Sequence, residues 1–91
     1  MTEITIRAFA KFRELFGAET KISVPSGASV YDGLLAFAEV KNAEAELFAE
    51  TELKPHIVLM YNRERIDAED AKSISLKDGD EIVLYPPVSG G

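Results

Sequence analysis

Hydrophobic and polar residues alternate over Glu3-Ile4-Thr5-Ile6-Arg7-Ala8-Phe9. Ile4, Ile6 and Ala8 fall on one face and Thr5, Arg7 and Phe9 on the other, the pattern of a half-buried strand. The period then changes: Phe12, Leu15 and Phe16 stand at i, i+3 and i+4 with Gly17 as a stop, which predicts one or two turns of helix. Alternation returns from Glu19 to Val24, with Ile22 and Val24 against Lys21 and Ser23, and Pro25-Ser26-Gly27 ends this second strand. Ser29 followed by Asp32 makes a capping box with Asp in place of the usual Glu. Behind it Val30, Leu34, Phe37 and Ala38 form an apolar stripe, with Tyr31 and Leu35 beside it, so the main helix is predicted over about residues 30–40.

The next stretch is poorer in apolar residues. Between Glu39 and Lys54 there are five glutamates and two lysines, and the apolar anchors are few (Ala43, Leu47 and Phe48 among them), which predicts a short helix on the surface with a solvated face. Pro55 bounds a dense run, Ile57-Val58-Leu59-Met60-Tyr61, whose β-branched and aromatic residues predict a central strand. Asn62-Arg63 reads as a turn into a short edge segment around Ile66, and Lys77-Asp78-Gly79-Asp80 as a turn into a last strand, Glu81 to Tyr85. In that strand Ile82 and Leu84 alternate with Val83 and Tyr85.

Two adjacent strands, a helical crossover and further strands predict an α+β fold. We expect a mixed sheet of four to five strands with one main helix packed on one face, the ubiquitin-like β-grasp arrangement. The domain is expected to occupy residues 1–85, and residues 86–91 an extended tail.

Composition narrows the chemistry. The chain has 91 residues, no cysteine, one histidine and a formal charge of -6. No disulfide, thiolate nucleophile or Cys-ligated metal can form, and a His-rich metal site within one chain is excluded, so no metal site and no bound cofactor are expected. The ten basic residues lie scattered among sixteen acidic ones, against the concentrated basic surface that nucleic acid requires. No apolar run approaches the ~20 residues of a membrane span. Met1 leads almost directly into a strand, so no signal peptide is expected and the expected location is the cytoplasm. His56 beside Pro55 has no nucleophile or acid pattern near it; Asp67, Glu69 and Asp70 read as a solvated loop without the spacing or glycine of a calcium loop. Asp78 and Asp80 flank Gly79 as turn residues.

The end of the sequence is different. Pro86-Pro87-Val88-Ser89-Gly90-Gly91 follows the last strand; its prolines cannot continue a central strand and stiffen the exit. Six residues at ~3.3–3.6 Å each reach roughly 20 Å. A terminal diglycine alone arises by chance in about one chain in 200, so the pair carries weight only in combination with the sheet body and the proline exit. A carboxylate is a poor electrophile and must be activated; ATP does this by forming an acyl-adenylate in a partner's nucleotide pocket. Glycine has no Cβ, so a Gly90-Gly91 end can thread a narrow channel where bulkier residues clash. The activated carbonyl can then accept sulfur to give a thiocarboxylate, or an amine to give an amide.

Three stretches resemble the MoaD/ThiS group of ubiquitin-like sulfur carriers, its MoaD-type members above all. They are Phe9-Ala10-Lys11-Phe12-Arg13-Glu14-Leu15-Phe16-Gly17, Lys77-Asp78-Gly79-Asp80-Glu81-Ile82 and the tail Pro86-Pro87-Val88-Ser89-Gly90-Gly91. The resemblance implies that an E1-like adenylating enzyme activates Gly91 with ATP, and that a sulfurtransferase or other persulfide donor supplies sulfur. The thiocarboxylate then enters a molybdopterin synthase large subunit. It implies that Pro86, Pro87, Val88, Ser89 and Gly90 thread the channel, and that catalytic groups lie in the partners rather than in this chain. The same activation also serves relatives that modify proteins by joining a terminal glycine to target-protein lysines. The longer segment 41–54 favours the MoaD type over the shorter thiamine type. Phe9, Val83 and Tyr85, with Met60 or Val58, are expected to form an apolar patch beside the tail on which partners dock. Arg63, Glu64 and Arg65 stand where members of this group often carry an apolar residue.

Overall fold

The computed structural model describes residues 1–86. The expectations for Pro87, Val88, Ser89, Gly90 and Gly91 lie outside the described residues. In chain order the elements are β1 (Thr2–Ala8), α1 (Ala10–Phe16), β2 (Glu19–Val24), α2 (Val30–Lys41), α3 (Glu44–Leu47), β3 (Phe48–Ala49), β4 (Glu52–Leu53), β5 (Val58–Tyr61), β6 (Glu64–Ile66), α4 (Ala68–Ala71) and β7 (Glu81–Tyr85). The main sheet has five strands in the order β2-β1-β7-β5-β6. β1 and β7 run parallel, and the pairs β1/β2, β5/β7 and β5/β6 are antiparallel. With α2 packed on one face, this is the expected mixed β-grasp sheet.

The alternation in β1 decides which face is buried. Ile4, Ile6 and Ala8 join Ile22 and Val24 of β2, Ile82 and Leu84 of β7, and Leu59 of β5 in one core. Val30, Leu34, Phe37 and Ala38, the predicted stripe of α2, close it from above. The capping box forms as predicted: the Asp32 N–H donates to Ser29 Oγ at 3.0 Å and the Ser29 N–H to Asp32 Oδ2 at 3.0 Å. Gly33 lets helix and sheet approach closely, since a Cβ there would stand 2.9 Å from Leu76 Cδ1 and 3.1 Å from Ile4 Cδ1.

Three expectations are corrected. Leu15, placed in the apolar stripe of α1, is 51% exposed; Phe12 and Phe16 lie about 40° apart around the helix and both face the core, whereas Leu15 stands about 100° from Phe16. The segment after α2 holds the expected short helix, with Glu44 and Ala45 exposed, but it is more than a solvated surface helix. It folds into α3 and the β3–β4 hairpin, and Ala43, Leu47, Phe48 and Leu53 are all buried. Few apolar residues suffice there because each one points inward, and the Tyr31 hydroxyl, donating to the Thr51 carbonyl, ties the hairpin to α2. Asp67, Glu69 and Asp70 belong to a helical turn rather than a loop, and the Asp67 N–H donates to Asp70 Oδ2 at 3.1 Å. As expected, β5 is an internal strand, flanked by β7 and β6, while β7 occupies the middle of the sheet. The dense run of β5 reflects a strand with apolar residues on both faces: Leu59 points into the core, and Val58 and Met60 are half-buried on the other face.

Candidate functional site

The sheet face away from α2 carries the site. β1 and β7 pair in parallel with Arg7 beside Val83 and Ala8 beside Leu84. The Phe9 N–H continues this ladder by donating to the Leu84 carbonyl at 3.1 Å. Phe9 therefore stands next to Tyr85, and their rings stack with centroids 5.0 Å apart and planes 12° from parallel. A stacked aromatic pair contributes about 0.5–1.5 kcal/mol beyond its buried area. β5 completes the surface because Met60 pairs directly with Val83.

These residues line an open groove of about 350 Å³ whose remaining lining is charged: Arg7, Arg63 and Glu81. Phe9 and Tyr85 are 38% and 39% exposed, whereas Val83 is 8% exposed and forms the floor. The structure thus brings Phe9, Met60, Val83 and Tyr85 together; Val58 pairs with Tyr85 but does not line the groove. Pro86, half-buried, follows directly on Tyr85 and is the last residue described.

Sequence reasoning noted Arg63 and put Arg7 on the face of Phe9, but assigned neither Arg7 nor Glu81 to the docking surface. Arg7 and Glu81 precede Phe9 and Val83 by two positions on their strands, so the same period-two rule carries them to the same face. The Arg7 Nε donates to Glu81 Oε2 at 2.7 Å, and its Nη2 stands 3.4 Å from Glu19 Oε1. All three side chains are partly solvated, so these ion pairs contribute about 0–1 kcal/mol and serve mainly to fix the Arg7 side chain.

A second missed residue supports the groove from beneath. Asp80, read as an ordinary turn residue, is only 8% exposed. Its carboxylate accepts from the Tyr61 hydroxyl at 2.5 Å, from Asn62 Nδ2 at 3.0 Å and from the Lys77 N–H at 2.8 Å. Burial pushes the Asp80 carboxyl up, but the hydrogen bonds from Tyr61, Asn62 and the Lys77 backbone, with the Lys77 charge, outweigh it and hold it below its ordinary value. Tyr61 is pushed up to about 12, first by its hydrogen bond to Asp80 and then by burial. The turn is also pinned to β1: the Glu3 N–H donates to Asp78 Oδ1 at 2.8 Å and the Gly79 N–H to the Glu3 carbonyl at 2.8 Å. A signal for Asp80 existed in the double acidic turn, but only the fold shows which of the two carboxylates turns inward.

Among the described residues no group of three or more His, Cys, Asp or Glu side chains is placed to hold a metal ion, and no helix is long and apolar enough to cross a membrane. His56 is exposed and takes no part in the groove.

Comparison with known proteins agrees with this architecture. The ThiS family profile matches residues 6–91. Small archaeal modifier protein 3 of Haloferax volcanii is 34% identical over 98% of this chain and 99% of its own length. The molybdopterin synthase sulfur carrier subunit of Aedes aegypti is 32% identical over 100% of this chain and 91% of its own. Among solved structures, small archaeal modifier protein 1 of H. volcanii superposes with a TM-score of 0.85 at 27% identity, covering 97% of this chain and 100% of that one. A five-stranded β-grasp sheet, a last strand running into a diglycine tail and a profile match from the first strand onward place this chain in the ThiS/MoaD family of ubiquitin-like carriers and modifiers.

Proposed function

We propose that the protein is a sulfur carrier for the synthesis of molybdopterin, acting in the cytoplasm with Gly91 as its reactive residue. An E1-like adenylating enzyme joins the Gly91 carboxylate to the α-phosphorus of ATP with loss of pyrophosphate. The terminal sulfur of a persulfide on a sulfurtransferase or other donor then attacks the activated carbonyl and AMP leaves. A thiol cleaves the S–S bond of the resulting acyl disulfide, forming a disulfide with the donor's sulfur, and a thiocarboxylate remains. The large subunit of molybdopterin synthase takes up this end and passes the sulfur to its pterin precursor. The chain itself supplies no catalytic side chain and binds no cofactor; it is a co-substrate whose folded body is the handle.

The observation that carries this reading is the position of the groove. Phe9, Met60, Val83 and Tyr85 form an apolar wall, its Phe9 and Tyr85 rings exposed, centred on β7, the strand that precedes residues 86–91 in the sequence. A partner seated on this wall is within the tail's reach of roughly 20 Å. Exposed apolar surface next to a reactive end fits docking of the enzymes that act on that end. A relative named as a molybdopterin synthase sulfur carrier subunit covers the whole chain, which supports the choice of pathway.

The test is intact mass of the protein isolated from its own cell, together with deletion of Gly91. We expect an oxygen-to-sulfur increment localised to Gly91, and loss of molybdopterin synthesis in the deletion variant with the fold retained. Normal synthesis without Gly91 would overturn the reading. The likeness to a small archaeal modifier protein supports a second role, attachment of Gly91 to target-protein lysines. Peptides carrying a lysine-linked Gly-Gly from this tail establish that role; their absence under conditions that yield thiocarboxylate removes it.

A further inference from the structure

The two arginines of the groove differ. Arg7 is held by Glu81 at 2.7 Å and Glu19 at 3.4 Å. Arg63 is exposed at the lip and, among the described residues, has no ion pair or side-chain hydrogen bond. Its backbone is also unusual. The β5–β6 connection consists of Asn62 at φ 48 and Arg63 at φ 73. A two-residue hairpin turn with positive φ at both positions favours Asn followed by Gly, and the second position here holds a long charged side chain in the left-handed region.

The turn is not free to escape that conformation. Asn62 Nδ2 donates to Asp80 Oδ1 at 3.0 Å, Asn62 Oδ1 accepts from the Glu81 N–H at 2.9 Å, and the Asn62 N–H donates to the Glu81 carbonyl at 2.9 Å. The buried Asp80 thus fixes the turn, and the turn fixes where Arg63 leaves the backbone. A strained arginine with no use inside the molecule, held rigidly at the rim of an apolar groove, points to a ligand outside it.

We propose that Arg63 is a specificity determinant of the docking groove. It takes a carboxylate of the partner segment whose apolar side chain enters against Phe9, Val83 and Tyr85. This rests on the docking reading above, and of the partners named there we commit to the synthase large subunit, because a relative that covers the whole chain is named a subunit of that synthase. In a chain of net charge -6, one exposed cation at the groove lip sets register and partner choice rather than general attraction. Its guanidinium matches a carboxylate in planar, two-pronged geometry.

The test is calorimetric titration of the full-length carrier with the large subunit encoded in the same genome, using Arg63→Gly, Arg63→Glu and Phe9→Ala. Arg63→Gly is expected to bind about tenfold more weakly and Arg63→Glu at least about 30-fold more weakly, with the salt dependence flattened in the first. Thermal stability of Arg63→Gly is expected to equal or exceed that of the parent, since glycine suits the turn, so lost binding is not lost folding. Binding by Arg63→Gly within about twofold of the parent, while Phe9→Ala fails to bind, overturns this proposal and leaves the docking reading intact. If Phe9→Ala also binds normally, the docking reading falls and the role of Arg63 with it. A loss confined to the E1-like adenylating enzyme overturns the assignment to the large subunit.

Discussion

Ile82 and Leu84 lie on one face of β7, Val83 and Tyr85 on the other, and the same five-residue strand serves two purposes. On the first face α2 covers the sheet, and both side chains are fully buried. On the second no helix covers the sheet among the described residues, and the strand lines an open groove with Phe9 and Met60. Both faces are apolar at β7, so hydrophobicity alone does not distinguish core from docking surface. What distinguishes them is cover: one face is closed by a helix of the same chain, and the other is left for a partner.

The largest test of this contrast substitutes neighbours. Leu84→Ala removes a fully buried side chain from the core and is expected to cost about 2–5 kcal/mol in urea unfolding. That is a large part of the roughly 5–15 kcal/mol a domain of this kind holds. Tyr85→Ala, one residue on, forfeits chiefly its stack on Phe9 and is expected to cost about 1 kcal/mol. For the proposed partners the order reverses, with Tyr85→Ala folded and failing to bind. Equal unfolding costs at the two positions would break the contrast, because Tyr85 would then be a core residue.

Much of this was legible in the sequence. Period-two alternation in β1 and β7 assigned both faces correctly, because a strand's pleat has one answer once the core face is known. The stripe and capping box of α2 gave its position for similar reasons. What escaped was set by tertiary contact. Leu47 and Phe48 read as sparse anchors in an acidic stretch, yet α3 and the β3–β4 hairpin bury both, together with Leu53. Asp78 and Asp80 look alike in sequence. Asp78 caps the Glu3 N–H at the exposed start of β1, and Asp80 is buried against Tyr61 because β5 lies beside β7. Arg63 drew notice only as a departure from the family pattern; the strain that gives it meaning is a property of the backbone.

Asp80 immediately precedes β7, and its effect ranks second. Asp80→Asn removes the charge that three donors share and is expected to cost about 1.5–3 kcal/mol at neutral pH. The linkage has two arms. The folded Asp80 carboxyl lies below its ordinary 3.8, so its contribution is present above that value and is lost as pH falls through the folded one. Tyr61 is raised from 10.0 to about 12, so its contribution is complete below 10 and is lost as pH rises from there toward 12. Urea unfolding at about pH 3, 7 and 11 is expected to show both arms in the parent. Asp80→Asn should lose both, since Asp80 is the first cause of the Tyr61 shift, and Tyr61→Phe should lose the alkaline arm. An alkaline arm that survives in Tyr61→Phe would assign it elsewhere.

The smallest effect is expected where the groove begins. Ala10 follows Phe9 at φ 53, a left-handed position for a residue with a Cβ, and this bend swings the chain from β1 into α1 while leaving Phe9 beside Tyr85. Left-handed backbone costs an L-residue about 1–2 kcal/mol, which glycine avoids. Glycine in turn loses about 0.5–1 kcal/mol through the greater freedom of the unfolded chain. The first equals or exceeds the second, so Ala10→Gly is expected to leave stability unchanged or raise it by up to about 1.5 kcal/mol, with a midpoint below about 1 kcal/mol. Ala38→Gly makes the same chemical change on the covered face, in the interior of α2 and fully buried, with no strain to relieve. There the lost helix propensity and the lost methyl burial act together, for about 1.5–2 kcal/mol. The pair isolates backbone conformation from residue type. If Ala10→Gly costs as much as Ala38→Gly, the bend that sets Phe9 at the groove is not held by left-handed backbone, and the stack with Tyr85 alone must position the ring.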